Sequence, residues 1–180
     1  MKKYLLVTSA ILVSVLLIFI LLVSILFPRK YLDEIGIMSE RYSLDGAMVA
    51  SIINIESGYE EDTTSNRGAI GIIQILPSTA VEIADKLGIE IDDLDALYDV
   101  RLNMEIGCYY LRYLLDYFDG NITNSLCAYN WGMGNVRDWI DSGNIADNGD
   151  ITNIPVAETR NYLHKYRLNY YVYSKLYNLY

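Results

Sequence analysis

The chain begins with one long apolar run and continues as shorter segments in which apolar residues recur at helical spacing. Residues 5–27 form a run of 23 residues without a charged side chain. As an α-helix, such a run is about 35 Å long, which is enough to cross the hydrocarbon core of a bilayer. Downstream, Met48, Ile52 and Ile55 fall on one face of a predicted helix over 46–56, with Asp45 as its N-cap.

Further helices are predicted between breaks marked by glycine, proline and polar residues. The expected segments are residues 78–87 after Pro77, a long helix from the cap Asp99 to about residue 119, residues 123–129 capped by Thr123, residues 135–141, and residues 155–177. The expected apolar stripe of the long helix is Leu102, Ile106, Tyr110, Tyr113, Leu114 and Tyr117, and the expected packing face of the last helix is Tyr162, Tyr166, Tyr170, Tyr173 and Tyr177. With a short β element near Gly71, the pattern predicts an all-α fold with a minor β element.

The N-terminal run is interpreted as an uncleaved signal anchor. The alternative is a cleaved signal peptide, whose apolar region is usually shorter, about 7–15 residues, and ends in a small-x-small site. Lysines precede the run and Arg29 and Lys30 follow it, so the flanking charges nearly balance, and the N-terminal amine favours a cytoplasmic N-terminus. We therefore expect a single-pass cell-membrane protein with residues 1–27 as anchor, 28–42 as juxtamembrane linker and 43–180 as one extracytoplasmic domain.

Charge and the rarer residue types exclude several classes of function. Residues 28–180 carry 23 acidic and 12 basic side chains, a net charge of −11, which argues against a nucleic-acid partner. The single histidine, His164, is expected to face solvent. Cys108 and Cys127 fit no metal motif, so we expect no metal, and we expect no cofactor. The two cysteines are either a disulfide pair or two buried thiols.

Three motifs follow the anchor in order. They are Glu56-Ser57 with Ser65-x-x-Gly68-Ala69-x-Gly71-x-x-Gln74-x-x-Pro77-x-Thr79-Ala80, then Ala128-Tyr129-Asn130-Trp131-Gly132-Met133-Gly134, then Ile154-Pro155-x-x-Glu158-Thr159-Arg160-x-Tyr162. Together they resemble the catalytic domain of the soluble-lytic-transglycosylase family, which is related to goose-type lysozyme. The resemblance covers about residues 43–170 and implies a lysozyme-like helical domain.

Glu56 is the candidate catalytic acid. It ends an apolar helical run, and a carboxyl group among isoleucines is expected to have a raised pKa because desolvation penalises its charged form. The resemblance implies that this one residue protonates the glycosidic oxygen between N-acetylmuramic acid and N-acetylglucosamine. It then accepts the proton of the sugar's own 6-hydroxyl, whose attack closes a 1,6-anhydro ring without a second catalytic carboxylate.

The resemblance also implies a set of substrate-binding residues, namely Ser65, Gln74, Tyr129, Asn130, Glu158 and Tyr162. Gln74 is an amide among isoleucines that either bonds to nearby backbone or donates to a sugar group. Tyr129 would orient Glu56 or stack on a sugar, and Asn130 would hold an acetamido group. Glu158 begins the last predicted helix, where the helix dipole by itself also favours an acidic residue. Trp131 replaces a residue that is commonly small in the family, and it either lines the cleft or packs inside.

Two other functions stay open at this point. A hydrolytic muramidase of goose-lysozyme type would need a second carboxylate to position water, and Asp62 is the nearest candidate. A non-catalytic wall-binding module of an envelope-spanning complex would have an assembly partner that the sequence does not identify. We favour a membrane-anchored peptidoglycan lytic transglycosylase, with glycan strands as its substrate and the membrane as its support.

Overall fold

The computed structural model describes residues 2–177 and residue 179. Its helices are α1 Lys2–Leu26, α2 Leu32–Tyr42, α3 Gly46–Glu56, α4 Pro77–Leu87, a 3-10 helix Leu94–Tyr98, α5 Val100–Tyr117, α6 Ile122–Trp131, α7 Met133–Asp141 and α8 Ala157–Leu176. Isolated β-bridges pair Thr64 with Ile70 and Ile70 with Ile75. The fold is all-α with a minor β element, as the sequence pattern predicts.

Helix α1 lies outside the hydrophobic core. Residues 6–26 have a mean hydropathy of 3.1, and none of these residues is buried inside the protein. A helix that is apolar on every side is stable where lipid or another apolar medium surrounds it. By length and composition, α1 can cross a membrane.

Residues 28–42 differ from the expected linker, because most of them form helix α2. Ile35 and Met38 are each 1% exposed and belong to the main core. The helix packs against α3 and α5. Its apolar stripe is short and is interrupted by Gly36 and Ser39, so periodicity alone does not distinguish it from a polar connection.

The main core forms around α3. Residues 46–53 of this helix are all buried, in keeping with a sequence that is apolar on every side. Asp45 caps it as expected, accepting from the Ala47 N–H at 2.7 Å. Helix α8 packs along α3, and the tyrosine stripe is the packing face that the sequence predicts, with Tyr173 fully buried.

Two details of α5 and α6 differ from the expected pattern. Tyr113 and Tyr117 are 38% and 42% exposed, whereas the buried face of α5 includes the polar Asn103. Helix α6 begins at Ile122, and its N-cap is Asn121 rather than Thr123, since the Asn121 side chain accepts from the Asn124 N–H. The burial of Asn103 and the cap at Asn121 both involve hydrogen bonds of a polar side chain, which hydrophobic spacing does not reveal.

The two cysteines, Cys108 and Cys127, are both buried and both free. Of the two alternatives that the sequence leaves open, the structure therefore shows separate buried thiols. Each lies in a hydrophobic cluster, where a thiol behaves as a small apolar side chain.

Candidate active site

The loop between α3 and α4 is folded back against the end of α3 by side chains that bond to its backbone. The Ser57 hydroxyl donates to the Ile72 carbonyl at 2.7 Å. Asn103, buried on α5, accepts from the Ile73 N–H at 2.9 Å and donates to the Ile70 carbonyl at 3.0 Å. The bonds to the Ile72 carbonyl and to the Ile73 N–H satisfy buried backbone groups, and the Ile70 carbonyl, which also accepts from the Ile75 N–H, gains a second donor. Together these bonds fix the loop in one place.

Two glycines allow this loop to lie directly against α5 and the 3-10 helix. Gly71 has φ = 79°, and a Cβ there would overlap the Leu97 carbonyl oxygen. A Cβ at Gly107 would overlap the Ile73 side chain. The apolar loop residues therefore reach the core, while the loop tip stays beside Glu56.

Gln74 lies at this tip in a left-handed conformation, φ = 52°, which is uncommon for a residue other than glycine. Its Nε2 donates to the Gly71 carbonyl at 2.8 Å and to the Thr63 carbonyl at 3.1 Å. Of the two roles expected for this amide, the structure shows the bonding to backbone. Its oxygen, an acceptor, is the atom left for contact with a ligand.

Glu56 lies where two cavities meet, and the two together form one cleft. The first cavity, about 390 Å³, is lined by Glu56, Ser65, Asn66, Arg67, Ala69, Gln74, Leu76, Tyr129, Asn130 and Glu158. The second, about 460 Å³, is lined by Ile55, Glu56, Asn130, Glu158, Asn161, Tyr162, His164 and Lys165. Glu56, Asn130 and Glu158 line both cavities. We therefore call the first cavity the loop arm of the cleft and the second cavity its α8 arm.

Burial raises the pKa of Glu56 from its ordinary value of 4.5 to about 7. The Tyr162 hydroxyl lowers this pKa, the negative charge of Glu158 raises it, and the positive charge of Lys165 lowers it, all by less than burial does. The carboxyl group is therefore partly protonated at neutral pH, the state in which it can donate a proton.

Tyr162 is a residue of the third motif whose ring is buried and whose hydroxyl is near Glu56. Within the described residues, this hydroxyl has no hydrogen-bond partner at normal geometry. It nevertheless lowers the pKa of Glu56, which means that it favours the ionised carboxylate. Burial raises the pKa of Tyr162 well above 10, so the hydroxyl keeps its proton and acts as a donor.

Tyr129 connects the second motif to the loop. Its hydroxyl donates to the Ile73 carbonyl at 2.7 Å, and its ring lies 5.7 Å from the ring of Tyr110. Burial raises the pKa of Tyr129 well above 10, and the charge of Glu56 raises it further. The hydroxyl is thus engaged with the loop, and Tyr129 forms a wall of the cleft beside Glu56.

Asn130 is oriented by a residue that the sequence analysis did not select. The Thr159 hydroxyl, fully buried, donates to Asn130 Oδ1 at 2.8 Å. With its oxygen occupied, the amide presents its NH₂ group to the cleft as a donor. Thr159 lies between Glu158 and Arg160 in the third motif, and that position is the signal that would have pointed to it.

Arg67 is a second residue missed from the sequence. Its Nη2 lies 2.7 Å from Glu158 Oε2, so the pair connects the loop to α8 across the cleft. Both side chains are more than half exposed, and such ion pairs contribute little to stability. Arg67 lies between Ser65 and Gly68, at a position where the motif specifies no residue type. The motif therefore does not indicate that this side chain pairs with Glu158.

The remaining sequence predictions fall partly inside and partly outside the cleft. Ser65 lines the loop arm, where its hydroxyl accepts from the Ala69 N–H at 3.0 Å and shapes the loop. Asp62 lines a separate cavity with Lys30 and Glu60 instead of the cleft. Trp131 packs edge-on against Trp139, at 6.4 Å between ring centroids. His164 is exposed, as expected, at the rim of the α8 arm.

Comparison with known proteins identifies relatives of the chain. The model of the transglycosylase SLT domain matches residues 33–151. The chain is 31% identical over 140 residues to the soluble lytic murein transglycosylase of Escherichia coli K12, covering 76% of this chain and 22% of the relative. It is 29% identical over 163 residues to the membrane-bound lytic murein transglycosylase C of Edwardsiella ictaluri, covering 76% of this chain and 44% of the relative. The chain thus spans less than half the length of these relatives.

Solved structures show the same architecture. An inactive Glu-to-Gln variant of the lytic transglycosylase Slt from Pseudomonas aeruginosa matches with a TM-score of 0.77 and 27% identity, covering 87% of this chain and 26% of that one. The 70-kDa soluble lytic transglycosylase in complex with bulgecin A matches with a TM-score of 0.77 and 29% identity, covering 84% and 25%. The helical domain has the lysozyme-like fold that the sequence motifs imply.

Proposed function

Because the chain belongs to the transglycosylase SLT family, we propose that it is a peptidoglycan lytic transglycosylase with Glu56 as its catalytic acid and base. The observation that supports this most directly is the pKa of Glu56, raised to about 7, at the centre of a cleft. A carboxyl group that holds its proton near neutral pH can protonate the oxygen of a leaving sugar. The bond broken would be the one between N-acetylmuramic acid and N-acetylglucosamine.

The proposed reaction uses the same carboxyl group twice. Glu56 donates its proton to the bridging oxygen while the bond from that oxygen to C1 of the muramoyl ring breaks. The Glu56 carboxylate then removes the proton from the 6-hydroxyl of that ring, and the hydroxyl oxygen bonds to C1. The 1,6-anhydro ring closes, Glu56 regains its proton, and no water is consumed.

The other cleft residues have supporting roles in this proposal. The Asn130 NH₂ group, oriented by Thr159, would donate to a sugar acetamido oxygen. The Gln74 oxygen would accept from a sugar hydroxyl or amide, and the Tyr162 hydroxyl would stabilise the Glu56 carboxylate after it has given up its proton. Ser65, Tyr129 and Glu158 would form the walls, since all three line the loop arm.

The proposal includes a membrane anchor and an extracytoplasmic catalytic domain. An exposed apolar helix of sufficient length supports the anchor, and one group of relatives carries the description membrane-bound. The domain would begin at α2 rather than at residue 43, since Ile35 and Met38 are part of its core. The connection between anchor and domain then shortens to residues 27–31.

The alternatives receive less support. A hydrolytic muramidase needs a second carboxylate near a water molecule at the reacting carbon, and Asp62 lines a different cavity from Glu56. A wall-binding module without catalysis has no need for a carboxyl group whose pKa is raised to about 7. An envelope-spanning assembly partner stays an expectation that no surface feature described above identifies.

The test is mass spectrometry of the products released from purified peptidoglycan by the full chain in detergent. We expect 1,6-anhydro products from the wild type and none from folded Glu56→Gln. Glu60→Gln, which changes an exposed glutamate outside the cleft, is the matched control and should keep full activity. Products heavier by one water would assign the hydrolytic muramidase instead, and no release by folded wild type would favour the wall-binding module.

A further inference from the structure

The C-terminal end of α1 is bonded directly to the domain that contains the cleft. Three consecutive backbone carbonyl groups at this end each accept a hydrogen bond from a side chain of α3 or of the end of α8. The bonds are Asn54 Nδ2 to the Leu26 oxygen at 2.9 Å, the Tyr177 hydroxyl to the Phe27 oxygen at 3.0 Å, and the Tyr173 hydroxyl to the Pro28 oxygen at 3.0 Å. We call this arrangement the anchor joint.

Packing around the anchor joint adds to these hydrogen bonds. The Phe27 ring contacts the Tyr173 ring edge-on, at 6.2 Å between centroids, and the Arg29 guanidinium lies 4.8 Å from the centre of the Tyr177 ring. Asn54 also donates to Asn169 Oδ1 at 2.6 Å, so its amide is held in place. A connection bonded and packed at successive residues behaves as a fixed joint, unlike a flexible linker of glycine and serine.

The anchor joint is close to the catalytic residue. Asn54 lies two residues before Glu56 on α3, a rise of about 3 Å. Adding the two side chains and the hydrogen bond keeps the Glu56 carboxyl within roughly 20 Å of the Leu26 carbonyl oxygen. Leu26 ends the apolar span, so its carbonyl would lie at the edge of the hydrocarbon core, beneath a headgroup layer of about 5–8 Å.

The charge of the domain makes the anchor joint important. Residues 28–180 have a net charge of −11, and a bilayer surface that carries anionic lipid repels a domain of that charge. On a flexible tether, such a domain would spend most of its time away from the bilayer. A fixed joint instead holds the cleft beside the headgroups in spite of this repulsion.

We propose that the anchor joint restricts the cleft to membrane-proximal glycan, and that the substrate of this site is a glycan strand tethered to lipid in the same bilayer. This inference rests on the proposed function, since it names the substrate class of that activity. Glycan in layers farther from the membrane lies beyond the reach of Glu56. The enzyme therefore cuts tethered strands close to their lipid end and leaves short lipid-linked stubs.

The test compares the full-length wild type with a joint variant, both reconstituted in lipid vesicles. The joint variant combines Asn54→Ala, Tyr173→Phe and Tyr177→Phe with a spacer of about ten Gly and Ser residues after Pro28, which adds a root-mean-square reach of about 17 Å. Tyr171→Phe, an exposed tyrosine of the same helix, is the matched control. The substrates are glycan strands tethered to lipid in the same vesicles and the same strands free in solution.

We expect wild type and the Tyr171 control to leave short stubs with a narrow distribution of lengths. The joint variant should leave longer stubs with a broader distribution, while its rate on free strands stays unchanged. Equal stub lengths from wild type and joint variant would overturn the proposal.

A second measurement does not depend on activity. A fluorophore attached to Asn66→Cys, at the cleft, is combined with a quencher on the lipid headgroups; the two native cysteines are buried. Strong quenching with the native joint and weaker quenching in the joint variant are expected, and equal quenching would overturn the fixed joint. If quenching differs as expected but wild type releases no anhydro products from free strands, the proposed function fails and the substrate assignment with it, while the joint itself stands.

Discussion

At the Glu56 carboxyl, the proposed catalysis and folding stability make opposite demands. The pKa of this group is about 7 in the folded protein and close to 4.5 without burial. The folded state therefore binds the proton more tightly than the unfolded state does, and stability falls as the pH rises from 4.5 to 7. Above pH 7 the penalty is complete, and it corresponds to roughly 3 kcal/mol as an upper limit.

The first prediction concerns Glu56→Gln and stability. Replacing the carboxyl by a neutral amide should raise the free energy of unfolding at pH 8 by about 1–3 kcal/mol more than at pH 5, because only the charged form is penalised. Denaturant unfolding at the two pH values measures this difference. Glu60→Gln should show no such dependence on pH, and an equal effect of Glu56→Gln at both values would contradict the assignment of a raised pKa.

The second prediction concerns the acid form of Glu56 in catalysis. Since the first step needs the protonated carboxyl, kcat/KM should fall above about pH 7, by about tenfold per pH unit well above the pKa. Tyr162→Phe removes the hydroxyl that lowers this pKa, so the alkaline limb should move to higher pH while kcat falls. A pH profile of kcat/KM for both proteins checks this, and a limb that stays in place would exclude the assigned role of Tyr162.

At the scale of elements, the cleft depends on how the α3–α4 loop is attached to α5. One buried amide, Asn103, satisfies the backbone on both sides of Gly71, and Gly71 and Gly107 let the loop approach closely. This attachment sets the position of Gln74, and it also sets the position of the Ile73 carbonyl, which accepts from the Tyr129 hydroxyl. The geometry of the cleft is therefore set partly by a residue that does not line it.

The third prediction tests this attachment with two buried asparagines. Asn103→Ala leaves the Ile73 N–H unpaired and removes one of the two donors to the Ile70 carbonyl, which still accepts from the Ile75 N–H; this should cost about 1–3 kcal/mol of unfolding free energy and most of the activity. Asn124→Ala breaks the equivalent pair of bonds, to Gly149 and Ile151, in a loop away from the cleft. It should lower stability by a similar amount and keep kcat/KM, as unfolding and activity assays on both variants would show. Equal losses of activity would contradict the role of Asn103.

End signals predicted α3 and α4 well, because Asp45 precedes α3 and Pro77 and Gly88 mark the two ends of α4. Hydrophobic periodicity predicted α8, whose tyrosines recur at helical spacing on its packing face. The same signals missed α2, whose stripe is short. They also missed the buried polar face of α5 at Asn103, since its burial depends on backbone groups far away in sequence.

For the site, the three motifs selected residues that the fold brings to one cleft. Thr159 and Arg67 were missed because only the folded structure shows that Thr159 bonds to Asn130 and Arg67 to Glu158. Likewise, the spacing of residues along the chain does not indicate that the Gln74 NH₂ group donates to backbone carbonyl groups. The third motif lies outside the matched residues 33–151, yet it supplies Glu158 and Tyr162 to the cleft.

At the scale of the whole molecule, α2 belongs to the helical domain, whereas α1 lies outside its core. Helix α1 has no buried residue over 6–26, whereas α2 contributes Ile35 and Met38 to the core. Burying a side chain of this size contributes about 1.5–3 kcal/mol. The loss of both, about 3–6 kcal/mol, is a large part of the stability of many domains, about 5–15 kcal/mol.

The fourth prediction follows from this division. A chain that begins at Pro28 should be soluble without detergent and should fold, since it keeps α2. A chain that begins at Ser43 should be unfolded or lose about 3–6 kcal/mol of stability. Circular dichroism and thermal unfolding of the two proteins would decide, and equal stability would return residues 32–42 to the role of a linker.

The two buried thiols have a consequence for how the folded protein responds to disulfides and oxidants. Burial raises the pKa of Cys108 and of Cys127 to about 12, so the reactive thiolate form is almost absent at neutral pH. Exchange with disulfides and oxidation by peroxides both require the thiolate and access to it. The two thiols of the folded domain are therefore insensitive to the redox potential of its compartment.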